Sequence, residues 1–125
     1  LLRRLDHFLA EDAIVCDAAR ACARGDAVAL GLLAETSQAH AEAWLGNQVP
    51  ETVTLASLAR ACGAHGATSF GAGFGGSVWA LVDAGDAAAF ARTWMAAYAT
   101  RHPGMPNVAW FLARPGPGLV EVPAV

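Results

Sequence analysis

Gly71-Ala72-Gly73-Phe74-Gly75-Gly76 is the stretch on which the reading of this chain turns. Each glycine carries roughly 0.5–1 kcal/mol of extra folding entropy relative to alanine. Four in six positions therefore cost about 2–4 kcal/mol, a large share of the roughly 5–15 kcal/mol that holds a domain folded. A tight hairpin turn needs one or two glycines. The surplus points to a need for bare backbone. That need is either bulge-rich hairpin geometry or close approach of a ligand. Phosphate is the commonest such ligand, because successive N–H groups form an anion nest.

The flanks say what kind of loop this is. Ala67 to Phe70 reads as short and extended, and Ser77 to Val82 as a near-continuous apolar strand. The glycines thus join two strands. The spacing Gly71, Gly73, Gly76 satisfies G-x-G-x-x-G, but the dinucleotide fingerprint needs a helix after the glycines to aim its N-terminus at a pyrophosphate. A strand follows here, and no acid lies about twenty residues on. A Walker loop needs Gly-Lys-Ser/Thr, which a chain without lysine cannot supply.

Upstream, Leu1, Leu5, Phe8, Leu9, Ala13, Cys16, Ala19 and Ala23 recur at three- and four-residue steps and predict one buried face of a helix ended by Gly25. Asp26 suits the cap of a second helix, with Leu30, Leu33, Ala34, Ser37, Ala41 and Trp44 on its apolar face and Gly46 at its end. The short Gly25-Asp26 connection predicts an antiparallel pair. A third helix opens near Pro50, with Glu51 complementing its dipole and Leu55, Leu58, Ala59 and Cys62 facing inward, and stops at Gly63. After the hairpin, Asp83 or Asp86 caps a fourth helix bearing Phe90, Ala91, Trp94, Ala97 and Tyr98, broken at His102-Pro103-Gly104. Val108 to Ala113 reads as a last strand, Arg114 to Gly118 as a turn, and a short tail follows. Helices segregated from a small antiparallel sheet make an α+β domain.

Composition narrows the function. The 125 residues suit one domain with a real core, 55% of them are hydrophobic and thirty are alanine. Net charge is −3, and all eight basic residues are arginines, scattered along the chain. Nucleic-acid binding and membrane-surface binding both need a basic footprint, so neither is expected. Residues 61–82 carry no charge and are long enough to span a bilayer. They also hold six glycines with His65, Thr68, Ser69 and Ser77, and read as a hairpin, not a span. Cys16, Cys22 and Cys62 form no CxxC pair and are expected to be buried thiols in a reducing cytosol; no signal-peptide pattern opens the sequence, and a cytoplasmic location follows. The sequence starts with Leu1, inside an apolar helical pattern and without a cap, which points to a piece of a longer protein.

Other candidate residues have plain readings. His40-Ala41-Glu42 matches the H-x-E of zinc deaminases but lacks the downstream P-C-x-x-C, and reads as a surface helix face. His7 and His102 show no ligand spacing, and no metal site is expected. His65, before the first strand, reads as a capping or solvated side chain. Ser69 and Ser77 flank the loop without a His–acid partner, and suit turn hydrogen bonds. Glu11, Asp12, Asp17 and the arginines read as solvated helix faces. Trp44, Trp79, Trp94, Trp110 and Phe111 suit a core, or a contact with another lobe.

Taken as a whole, Thr68-Ser69-Phe70-Gly71-Ala72-Gly73-Phe74-Gly75-Gly76-Ser77-Val78-Trp79-Ala80-Leu81-Val82 resembles the third signature motif of GHMP kinases, in the form found in galactokinases. The resemblance extends to Arg3-Arg4, His7 and Glu11 in the first helix, Gly25-Asp26, Ser37, Val49-Pro50-Glu51 through Leu55, and Arg114-Pro115-Gly116, so it covers nearly the whole chain in order. Ala72 stands where galactokinases often have glycine, and Phe70 where a hydroxyl residue is common. The resemblance implies a C-terminal, ferredoxin-like lobe of a two-lobed enzyme, with residues 1–125 forming that lobe and the N-terminal lobe lying upstream. It implies ATP and a sugar as substrates, Mg²⁺ as the metal, and Gly71, Ala72, Gly73, Phe74, Gly75 and Gly76 as a loop beside the nucleotide phosphates. It implies transfer of the γ-phosphoryl group to the anomeric hydroxyl of galactose, or of a related sugar as in arabinokinase and N-acetylgalactosamine kinase. It places the catalytic acid, the main phosphate loop and most sugar contacts upstream, so no catalytic residue is assigned here. A sugar- and ATP-binding module without turnover is the alternative.

Overall fold

The structure, a computed structural model, describes residues 2–105 and 108–116. Helix α1 spans Leu2–Arg24, α2 Ala27–His40, α3 Pro50–Ala61 and α4 Ala87–Arg101; strands β1 (Gly66–Ser69) and β2 (Val78–Leu81) lie between α3 and α4. The domain is α+β, with a two-stranded antiparallel sheet.

The helix ends are where local chemistry puts them. Gly25 has φ +65°, Gly25 N donates to Cys22 O and Asp26 N to Ala21 O, both at 3.0 Å, which is a left-handed glycine stop. The Asp26 side chain accepts from Ala29 N at 3.0 Å and caps α2. Gly63 (φ +99°) ends α3 in the same way, with Ala64 N bonded to Ala59 O. Asp86, not Asp83, takes the N-cap position of α4, and its side chain makes no cap bond. The second helix does not run on to Gly46 as α-helix. It loosens into a π-helical turn, Ala41–Leu45, closed by Gly46 at φ +63°.

Strand register sets the layers. Gly66 pairs with Leu81, Ala67 with Ala80, Thr68 with Trp79 and Ser69 with Val78. Paired residues share a face and successive residues alternate. Ala67, Val78 and Ala80 therefore point to one side, into the core formed by Leu55, Ala56 and Ala59 of α3, Ala64, and Trp94 and Tyr98 of α4. Trp94 Nε1 donates to Leu55 O at 2.9 Å across that core. Gly66 and Thr68 point the other way, to α2. Helix α1 lies outside α2 and meets the π-helical turn.

Three expectations are corrected. The inward stripe of α1 is His7 and Ala21, which are buried, with Ala10, Glu11, Ile14 and Ala18 half-buried, whereas Leu5, Phe8, Leu9, Ala13, Cys16, Ala19 and Ala23 are exposed and Leu1 lies outside the described residues. The apolar periodicity marks a helix correctly, but the face that meets α2 is the one with small and polar residues. Cys16 and Cys22 are accordingly exposed, and only Cys62 is half-buried. Val108 to Ala113 forms no strand: residues 108–113 lack regular structure and are exposed. Strand propensity needs a ladder partner to be expressed, and none pairs with it among the described residues. Arg114–Gly116 is irregular, and the remainder of the expected turn and the tail lie outside the described residues.

Candidate functional site

The glycine loop is built as its composition requires. Gly71, Gly73, Gly75 and Gly76 all have positive φ (79°, 82°, 114° and 92°), and Phe74 joins them at 61°. Side chains other than glycine rarely adopt this region. A Cβ at Gly71, Gly75 or Gly76 would meet nothing within 4 Å. The glycines there serve backbone conformation, and the space beside them is open.

The loop's amides are correspondingly free. Phe70 N donates to Ser77 O at 2.8 Å and closes the hairpin, and Phe74 N donates to Asn47 O. Among the described residues, the N–H groups of Gly71, Ala72, Gly73, Gly75 and Gly76 have no protein acceptor. A run of backbone donors without acceptors is the local dipole arrangement that receives an anion.

What holds this loop is a group of carboxamides that sequence reading missed. Asn47, 9% exposed, donates from Nδ2 to Ala72 O at 2.9 Å while its own carbonyl takes Phe74 N–H. Gly73 lies against it: a Cβ there would enter the Asn47 carbonyl and amide. Gln48 Nε2 donates to Asn47 Oδ1 at 3.1 Å. Gln48 Oε1 accepts from Thr52 Oγ1 at 3.0 Å and from Gln38 Nε2 at 3.4 Å. Gln38, 5% exposed, accepts from Thr68 Oγ1 (2.9 Å) and Ser69 N (2.8 Å) and donates its second N–H to Glu42 at 2.8 Å. Its four hydrogen-bonding positions are all filled. The only early signal was that Asn47 and Gln48 sit between Gly46 and Pro50, at a chain reversal.

The remaining candidates scatter. Ser69 contributes its backbone to Gln38 and Ser77 its carbonyl to Phe70, so both act through the main chain. His65 Nε2 lies 3.3 Å from Asp83 Oδ1, beyond β2 and away from the loop crest. Arg60 pairs with Glu35 and donates to the Ala64 and His65 carbonyls (2.7 and 2.8 Å), joining α2, α3 and the start of β1. His40 stacks on Trp44, ring centroids 4.1 Å apart, and is half-buried, not a free surface side chain. Glu11 is also half-buried and accepts from Ser37 Oγ at 2.9 Å, which corrects its reading as a solvated residue and links α1 to α2.

Among the described residues, no group of three or more His, Cys, Asp or Glu side chains is arranged to hold a metal ion. Two cavities among the described residues, of about 270 Å³ by Cys62, Asp86 and Phe90 and about 320 Å³ by Arg20, Arg24 and Leu32, lie away from the loop. The loop lies on an open surface, with free space beside Gly71, Gly75 and Gly76. No helix among the described residues is long and apolar enough to cross a membrane.

Comparison with known proteins agrees with this geometry. No curated protein matches the chain. Residues 18–100, more than half of the sequence, match the family model described as GHMP kinases C terminal, and the match contains α2, α3, both strands and the whole glycine loop. On that match the chain belongs to the GHMP kinase family, through its C-terminal domain.

Proposed function

We propose that this chain is the C-terminal lobe of an ATP-dependent sugar kinase of the galactokinase type, which phosphorylates the anomeric hydroxyl of galactose or a related sugar. The observation that carries the reading is the loop Gly71–Gly76, in which the N–H groups of Gly71, Ala72, Gly73, Gly75 and Gly76 have no acceptor among the described residues and Gly71, Gly75 and Gly76 border open space. Its role is to present those donors to one side of the nucleotide phosphates. In the transfer, the bond from the γ-phosphorus to the bridging oxygen of ATP breaks, a bond to the sugar oxygen forms, ADP leaves, and the hydroxyl proton passes to a base. Bare N–H donors bind the phosphate oxygens of the nucleotide, and Mg²⁺, when bound, would supply further neutralisation of the phosphates.

The base, the metal ligands and most of the sugar contacts belong in this reading to an N-terminal lobe of the same parent chain. The exposed Leu2, Leu5, Phe8 and Leu9 on α1 and Trp110, Phe111 and Leu112 near the other end support a second body packed on this one. The cytoplasm is the expected location, since ATP and free sugar meet there.

One observation favours a second reading. Among the described residues, the hydrogen bonds that hold the loop run to carboxamides or backbone. A sugar- and ATP-binding module without turnover would look the same. ADP release by the full-length protein with ATP, Mg²⁺ and a sugar panel led by D-galactose decides between them. Turnover with galactose supports the kinase. Saturable ATP binding with no turnover on any sugar supports the module.

A further inference from the structure

We propose that Asn47 is a positioning residue: it sets the conformation of the glycine loop that meets phosphate, and Gln48 and Gln38 hold Asn47 in place. The proposal rests on the reading of Gly71–Gly76 as a phosphate loop.

The loop cannot hold itself. Among the described residues, its internal closure is Phe70 N to Ser77 O at the base, and four glycines above that bond leave the crest with many backbone states. Asn47 grips both sides of the crest at once, Ala72 through its side chain and Phe74 through its carbonyl. Between these grips lies Gly73, the one loop glycine whose missing Cβ is explained by a close neighbour. Phe74 next to it sits at φ 61°, a conformation that persists only where the surroundings impose it.

The chemistry of the residue matters as well as its size. Ala72 O needs a donor, and Gln48 Nε2 needs an acceptor; a carboxamide is the small side chain that supplies both from one plane. The Gln48 bond also fixes which way the amide faces. Gln38 completes the frame by holding Ser69 N at the loop entrance. Entrance and crest are thus tied to one chain of hydrogen bonds through Gln38, Gln48 and Asn47, and such a network favours one geometry to the extent that its groups are satisfied, as those of Gln38 are.

The test uses the full-length protein and two readouts. Asn47→Asp keeps the shape but replaces the donor to Ala72 O with an acceptor. The result expected is hydrogen exchange of the 70–77 amides faster by about tenfold, with KM for ATP raised about tenfold and kcat and the sugar KM within about twofold of the parent, the scale of one lost buried hydrogen bond. Gln38→Met, similar in volume and without hydrogen bonds, should speed exchange at Ser69 to Ala72, and it carries the test if Asn47→Asp does not fold. Unchanged exchange in the loop overturns the proposal. Faster exchange with an unchanged KM for ATP overturns it too, because the held conformation would then not serve the nucleotide. If the parent protein neither uses nor binds ATP, the phosphate-loop reading falls, and the exchange data alone still decide whether Asn47 sets the loop.

Discussion

Gly31 of α2 and Gly66 of β1 lie back to back, and a Cβ on either would enter the backbone of the other's segment. This contact brings α2 directly onto the sheet face. It is also what places Gln38, two turns further along α2, beside Thr68 and Ser69. The glycine loop is therefore aimed by an interface at the far end of its own strand.

Gly31→Ala tests that interface. In an exposed helix the change would stabilise by about 0.5–1 kcal/mol. Here the sign reverses, and a loss of about 2–3 kcal/mol is expected for Gly31→Ala and for Gly66→Ala, from overpacking against backbone that cannot rotate away. Urea unfolding of each variant, read as a shift in midpoint at constant slope, measures it; a stabilised Gly31→Ala protein would show that α2 stands clear of β1.

Gly75→Val separates fold from function. Gly75 has φ +114° and open space around it, so a side chain there strains the loop without touching the core. The strain is on the order of 1–3 kcal/mol. The expected outcome is a melting temperature lowered by no more than about 15 °C, with the protein still folded, and KM for ATP raised at least about tenfold. Steady-state kinetics in which KM and kcat both stay at parent values would remove the loop from nucleotide use.

Trp94→Phe probes the core between α3 and α4. The substitution removes the Nε1 donor to Leu55 O and part of the volume among Ala56, Ala59 and Ala67. A destabilisation of about 1–3 kcal/mol follows. Calorimetry checks it, and a cost under about 0.5 kcal/mol would mean that the hydrogen bond and packing at this site are dispensable.

Tyr98, the single tyrosine of the sequence, is 3% exposed, and burial raises its phenol pKa above 10.0, with the negative charge of Glu51 adding to the effect. The folded state therefore binds the phenolic proton more tightly than the unfolded state does. Its contribution to stability is fully present below pH 10.0 and is lost as pH rises through the higher folded value. Absorbance near 295 nm should show phenolate forming only above that pH and together with unfolding, whereas Tyr98→Phe should flatten this part of the stability profile. Free titration at the ordinary tyrosine value in folded protein would contradict it.

Much of the architecture was legible because it is written in short-range chemistry. Glycine stops at Gly25 and Gly63, the Asp26 cap and Pro50 at a first turn act within a few residues, and each works in the structure as local rules dictate. The glycines of the loop were legible for the same reason, since positive φ is a property of one residue at a time. The apolar period of α1 showed a helix but not its buried side, because the outward face, Leu5 to Leu9, is more apolar than the stripe that meets α2.

The sequence by itself determined the α+β order, the hairpin that carries the glycine loop, and the family, all through residues adjacent in the chain. Tertiary structure alone decided three things. Gly31 meets Gly66 across thirty-odd positions, Asn47 grips Ala72 and Phe74, and Val108 to Ala113 stays unpaired. The physical reason is common to all three. A hydrogen bond, a close backbone approach or a strand pairing needs two partners, and no local pattern in either one records where the other will be.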